Sequence, residues 1–215
     1  MAKYFNFFPT TYYLQQQDST SVDVLTNITT RFGFEKALKE NASAFHTYEI
    51  KDSDTPEIIA EKIYGSPERH WIVLLFNDII DPQFDWPLDQ RTIIRFIDEK
   101  YTPNADTANG QTGLAWSQSN TKEYYKIDTR THTSSGTVTE DKIQVDANTY
   151  ANVVSSTTVY TLDDGATISL TISKETKSYY TYEIEQNETK RNIKLLKPEF
   201  APAVVEEFRR VTVNV

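Results

Sequence analysis

Three histidines, His46, His70 and His132, are the only imidazoles in 215 residues, and cysteine is absent. A thiolate nucleophile, a disulfide and a Cys-ligated zinc site are therefore excluded. No histidine pairs with a second ligand four residues away in the manner of a HExxH helix. None has the partners that a triad or a metal centre requires, so each reads as structural or surface. Asp78, Asp81 and Asp85 form an acidic series, but they are too widely spaced for an EF-hand loop and lack its central glycine. Asn109-Gly110-Gln111-Thr112-Gly113 has glycines without the lysine of a phosphate cradle, which makes it a loop. Glu57 and Glu61 share a helical face that reads as solvated. A glycosidase needs two carboxylates at a set separation across a sugar cleft, and the sequence singles out no such pair. The expectation is a protein without catalytic residues, cofactor or metal.

Thirty-one acidic against twenty-two basic residues give a formal charge of −9. A basic footprint for nucleic acid or an anionic membrane is missing, so neither is expected as a partner. No apolar run approaches the roughly 20 residues that cross a bilayer. The start, MAKYFNFFPTTYY, lacks the pattern of a secretory signal. Synthesis in a reducing cytosol fits, and the sequons at Asn27 and Asn187 then read as chance matches.

The elements follow from local signals. Tyr4, Phe5, Phe7, Phe8, Tyr12 and Tyr13 crowd an N-terminal arm that Pro9 keeps from being one helix. Two readings stand: an arm folded onto its own core, or an extended arm gripping another subunit, since so dense an aromatic tip is costly to leave in water. Asp18 to Thr30 reads as a polar linker running into a short strand or turn. A short helix follows at Phe34–Glu40 and a strand at Thr47–Lys51. Pro56–Tyr64 has an N-cap at Thr55 or Asp54, proline in the first turn and Gly65 as its stop, which defines a helix. A second helix begins at Ser66-Pro67 and runs to about Asn77. Its six consecutive large apolar residues, Trp71 to Phe76, need cover on two sides. Trp71, Leu74 and Leu75 are spaced to share one face, with Ile72, Val73 and Phe76 pointing elsewhere. Asp89 caps a third helix at Gln90–Tyr101.

Beyond Pro103 the pattern turns to alternation, with Ser and Thr abundant from Thr129 to Ser178. Thr158–Leu162 and Ala166–Ile172 flank Asp163-Asp164-Gly165, a hairpin signal. A second hairpin is expected from Tyr180–Glu185 to Asn192–Leu196 across Gln186–Thr189, then a helix at about Ala203–Arg210. The fold class is α+β, divided at 1–45, 46–102 and 103–215, with a β-rich insertion at about 129–178.

Tyr48-Glu49-Ile50-Lys51-Asp52-Ser53-Asp54-Thr55, Ile59-Ala60, Ile63-Tyr64-Gly65, Trp71, Leu74-Leu75, Asn77 and Ile80-Asp81-Pro82 together resemble a LysM domain. The resemblance implies a compact βααβ unit. Two positions depart from the pattern: Ser53 stands where glycine is usual, and Trp86-Pro87-Leu88 leads into a helix instead of a closing strand. LysM domains commonly bind N-acetylglucosamine polymers such as peptidoglycan. By position, that groove would involve Asp52, Ser53, Asp54, Thr55, Asn77, Asp78, Ile79, Ile80 and Asp81.

A wider resemblance adds the aromatic arm, Val24 to Ile28, Phe32, Phe34–Glu40, Asp85-Trp86-Pro87-Leu88, Tyr101, Asn187, Lys190-Arg191 and Ile193 to Pro198. With these the chain resembles the LysM-containing baseplate wedge proteins of T4-like contractile-tailed bacteriophages. The resemblance implies a structural virion subunit of the tail baseplate, assembled in the host bacterial cytoplasm. Its implied partners are a helical-bundle wedge core, a sheath-initiating wedge subunit and hub proteins, in a sixfold assembly. The LysM scaffold would there dock protein, through Tyr4, Phe5, Phe7, Phe8, Tyr12, Tyr13, Ile72, Phe76 and Trp86. The alternative function is a carbohydrate-binding module.

Overall fold

The computed structural model describes residues 4–14, 22–29 and 32–213, without the side chains of Asn6 and Val213. The chain divides into two compact units, residues 1–89 with 188–215, and residues 90–187.

Unit one opens with a 3-10 turn, Tyr4–Phe7. β1 (Thr10–Leu14) and β2 (Val22–Thr26) then form an antiparallel hairpin, Thr10 opposite Thr26 and Leu14 opposite Val22. After α1 (Lys36–Glu40) and β3 (Phe45–Glu49) comes α2 (Pro56–Tyr64). The Thr55 side chain accepts from the Ile58 N–H at its start, and Gly65 ends it at φ +66°, a left-handed value natural to glycine. A 3-10 turn at Pro67–Arg69 runs into α3 (His70–Phe76), and α4 (Pro82–Asp85) follows.

Unit two begins with α5 (Gln90–Tyr101), with the bounds the sequence predicts. It continues through α6 (Gly113–Ser119), β4 (Thr121–His132), β5 (Val138–Val145), α7 (Ala147–Asn152), β6 (Ser156–Thr161), β7 (Thr167–Ser178) and α8 (Tyr179–Thr189). Its four-stranded antiparallel sheet has the order β5-β4-β7-β6. The predicted β6–β7 hairpin is present, closed by the Leu162 N–H on the Ala166 carbonyl at 2.8 Å with Gly165 at φ +80°. The Thr-rich stretch is thus largely an ordered β-arm. Tyr101, Trp116 and Tyr179 form an aromatic knot, with centroids 5.1 to 5.6 Å apart. Glu183 binds the Tyr101 hydroxyl and the Lys100 ammonium, both at 2.7 Å.

The chain returns to unit one as β8 (Asn192–Leu196) and ends in α9 (Ala201–Val213). β8 pairs antiparallel with β3, Phe45 opposite Leu196 and Glu49 opposite Asn192. Two expectations are corrected here. Tyr180–Glu185 is helix, not the first arm of a hairpin. Ser178 Oγ accepts from the Thr181 N–H at its start, and its buried positions Glu183 and Asn187 are polar, which hides the helical period. Asn192–Leu196 accordingly pairs with β3, and not with a strand at Tyr180–Glu185. The boundary between the units at Asp89–Gln90 places α5 in unit two.

Inside unit one, Ile72 and Val73 are fully buried, and Phe76 is 2% exposed, against Ile59, Ala60, Leu195 and Leu196. Leu74 and Leu75 are only half-buried. Trp71 is covered from both ends of the chain. Its ring lies 4.8 Å from Phe208 of α9 and 5.4 Å from Tyr4. Each such buried side chain contributes about 1.5–3 kcal/mol.

Candidate interaction surface

Pro9 divides the aromatic arm. Before it, the Phe8 N–H closes a turn on the Phe5 carbonyl, which throws the rings of Tyr4, Phe7 and Phe8 onto α9. Tyr4 stacks on Phe208 at 5.2 Å, Phe8 meets Tyr4 edge-on at 4.9 Å, and Phe7 meets Phe208 edge-on at 5.9 Å. Burial pushes the Tyr4 phenol above its ordinary pKa. Phe8 is buried in the core, Tyr4 and Phe7 are half-buried against it, and Phe5 is more than half exposed.

Beyond Pro9 the arm is surface. Period-two alternation puts Tyr12, Leu14, Val22 and Val24 on one face of the β1–β2 hairpin. They are 80, 52, 49 and 60% exposed. Tyr13 and Leu25 are also exposed, on the other face. A two-stranded hairpin is marginal by itself in water, and a contiguous apolar patch of this kind marks a contact site. The sequence showed Tyr12 and Tyr13 but not their partners. Val22 and Val24 alternate around Asp23 in β2, within the stretch read as a polar linker running into a short strand or turn.

Beside the aromatic core lie two apolar hollows of about 540 and 450 Å³, with Phe32, Gly33, Trp71 and Leu75 lining both. Ile79 and Ile80 line the second, so these members of the candidate sugar groove face an apolar space. The other groove residues are used by the fold. Asp52 pairs with Arg191 at 2.7 Å, and Thr55 caps α2. The Asn77 amide donates to the carbonyls of Val73 and Lys194, and its oxygen accepts from the Lys194 N–H, all at 2.8 Å. This pins α3 to β8. Asp78 pairs with Lys39, Asp81 caps α4, and Ser53 is exposed. Ile72 and Phe76, expected to meet partners, are interior and hold the unit together. Trp86 is half-buried, its indole N–H donating to the Asp54 carbonyl at 3.0 Å.

Asp54 is the most enclosed carboxylate of the groove set. It accepts from the Tyr48 hydroxyl at 2.7 Å, the Lys51 N–H at 3.2 Å and the Lys62 ammonium at 2.6 Å. Burial raises its pKa, but the bonds from Lys62, Tyr48 and Lys51 outweigh this and leave it below 3.8. A depressed folded pKa means that the charged carboxylate stabilises the fold above its ordinary value. That contribution is lost as pH falls through the folded value. Asp54→Asn is therefore expected to lose stability against wild type at about pH 7 and progressively less of it below about pH 4. Urea midpoints of both proteins across that range check this; a constant gap would refute it.

Among the described residues, no group of three or more His, Asp or Glu is placed to hold a metal ion, and no helix is long and apolar enough to cross a membrane. The hairpin of unit one, apolar and exposed, has the character of a contact site. The chain belongs to the base plate wedge protein 53 family, whose model matches residues 3–211. It is 40% identical over 55 residues to baseplate wedge protein gp53 of Enterobacteria phage T4, a stretch that is 26% of this chain and 28% of that protein. The match therefore spans little more than a quarter of the relative's length. Family membership gives a structural role in the phage tail baseplate.

Proposed function

We propose that this chain links the wedge core to neighbouring wedges around the hub of a contractile-tail baseplate, with the β1–β2 hairpin as its grip. The observation that carries this is the hairpin face of Tyr12, Leu14, Val22 and Val24, apolar and 49 to 80% exposed, on a protein of the base plate wedge protein 53 family. Interfaces draw on aromatic anchors such as Tyr12 and are apolar at their centre. The order β3–α2–α3–β8 supports reading unit one as a LysM-like scaffold used to dock protein, with unit two inserted before the closing strand. The partners in this reading are a helical-bundle wedge core, a sheath-initiating wedge subunit and hub proteins, arranged with sixfold symmetry.

Deleting the whole arm would strip Tyr4 and Phe8 from the core, so the test uses point changes. Tyr12→Ser with Val24→Ser is expected to leave thermal stability unchanged and to weaken incorporation into co-expressed wedge complexes by about thirtyfold or more, the effect of losing one anchor worth ~2 kcal/mol. Unchanged incorporation would refute the hairpin's role. Retention of the wild-type protein on insoluble peptidoglycan, with no uptake into wedges, would turn the assignment to sugar binding.

A further inference from the structure

The sheet of unit two ends in two unlike edges. β5 carries Glu140, Asp141 and Lys142 near its middle, the kind of charge that guards natural sheet edges. β6, Ser156-Thr157-Thr158-Val159-Tyr160-Thr161, has no charge, proline or glycine, and all six residues are exposed. Among the described residues only its β7 side is paired. Alternate N–H and C=O groups along the other side face outward, and a peptide backbone in extended form is what satisfies such a row.

We propose that this edge binds a second copy of the chain, β6 against β6, antiparallel about a twofold axis through Val159 and normal to the sheet. Such an axis keeps like faces together, and directly opposite residues share a face. Centred on Val159, the register sets Thr158 opposite the partner's Tyr160 and Thr157 opposite the partner's Thr161. Tyr160 lies beside Ile168, and Thr158 beside Leu170, on one face of the sheet. The apolar face formed by Tyr160, Ile168, Leu170 and Ile172 then continues from one copy into the next.

Charge selects this edge over the other. The same operation centred on Asp141 or Lys142 of β5 would set carboxylate against carboxylate or ammonium against ammonium, which is destabilising for directly opposite residues. At β6 no charge opposes another, and Thr–Thr and Thr–Tyr pairs suit a strand. A twofold contact closes at two copies, so the pair belongs to the free protein rather than to a ring of wedges. The contact is small against the roughly 1,000 Å² of a stable interface, so association is expected to be weak and to require high concentration.

Sedimentation equilibrium of the full chain, up to about 500 µM in view of that small area, tests this. Wild type is expected to shift from monomer to dimer. Val159→Lys and Val159→Glu are each expected to stay monomeric, because each sets two like charges face to face, with unchanged thermal midpoints since Val159 is 59% exposed. An equal mixture of the two variants is expected to dimerise again, and Thr139→Lys on β5 to dimerise as wild type does. A wild type that stays monomeric throughout, a Val159→Lys protein that dimerises normally, or a mixture that fails to pair would each overturn the proposal. The Tyr12→Ser, Val24→Ser protein should still dimerise, which separates this contact from the hairpin's role.

Discussion

Trp71→Ala is expected to lower the unfolding free energy of unit one by about 3 to 5 kcal/mol, the range for emptying a large aromatic core site. The indole is buried where both ends of the chain meet, between Phe208 at 4.8 Å and Tyr4 at 5.4 Å. Those neighbours are rings held by further rings: Phe8, Phe32 and Phe7 all contact Phe208. Stiff planar groups locked to one another cannot collapse into the space an indole leaves, so most of the cavity cost persists. The loss should appear as a lower urea midpoint with an unchanged slope. The Tyr4 phenol offers a second readout, because burial is what raises its pKa. Opening the site should return that phenol toward its ordinary value of 10.0. A stability loss under about 1 kcal/mol would show that Trp71 is not core.

The second large effect is expected in unit two. A Cβ added at Gly113 would lie 2.0 Å from the Asp98 carbonyl oxygen and 2.5 Å from the Thr102 nitrogen. Both are backbone atoms, one in the last turn of α5 and one in the residue that follows it, so no side chain can swing aside, and α5 and α6 would have to separate. The same approach is held by the Asp98 carboxylate, which accepts from the Leu114 N–H at 2.8 Å. Gly113→Ala is therefore expected to cost about 3 kcal/mol, at the upper end of the range for overpacking. Gly110 provides the control. Nothing lies within 4 Å of its added Cβ, so Gly110→Ala carries only the strain of a left-handed φ of +79°, about 1 kcal/mol. Trp116 fluorescence reports unit two, whereas Trp71 and Trp86 lie in unit one. Equal effects at the two glycines would mean that the close approach of α5 and α6 is not a constraint.

Local chemistry carried the sequence reading wherever it acts within a few residues. Thr55, Pro56 and Gly65 bound α2 as predicted, and α5 runs over the predicted residues. Asp163-Asp164-Gly165 turns β6 into β7, because glycine alone takes φ +80° there without strain. The surface half of the candidate site was partly legible, since Tyr12 and Tyr13 stand out by type. Ile72 and Phe76 were misplaced for a physical reason. In a run where every residue is apolar, helical spacing no longer says which side faces the core.

By itself, the sequence determined the capped helices, the glycine turns, the α+β class and the lack of thiol chemistry. All of these depend on a residue's own type or on its nearest neighbours. Tertiary structure alone decided that β8 closes the sheet begun by β3, that a whole unit stands between them, and that α9 and the first turn of the chain seal Trp71. Five-residue strands such as Phe45–Glu49 and Asn192–Leu196 match many partners equally well in pattern. Their pairing is selected by the burial of Ile193, Leu195 and Leu196 against α2 and α3 and by the Asn77 side chain on Lys194. Those contacts exist only once the distant segments have come together.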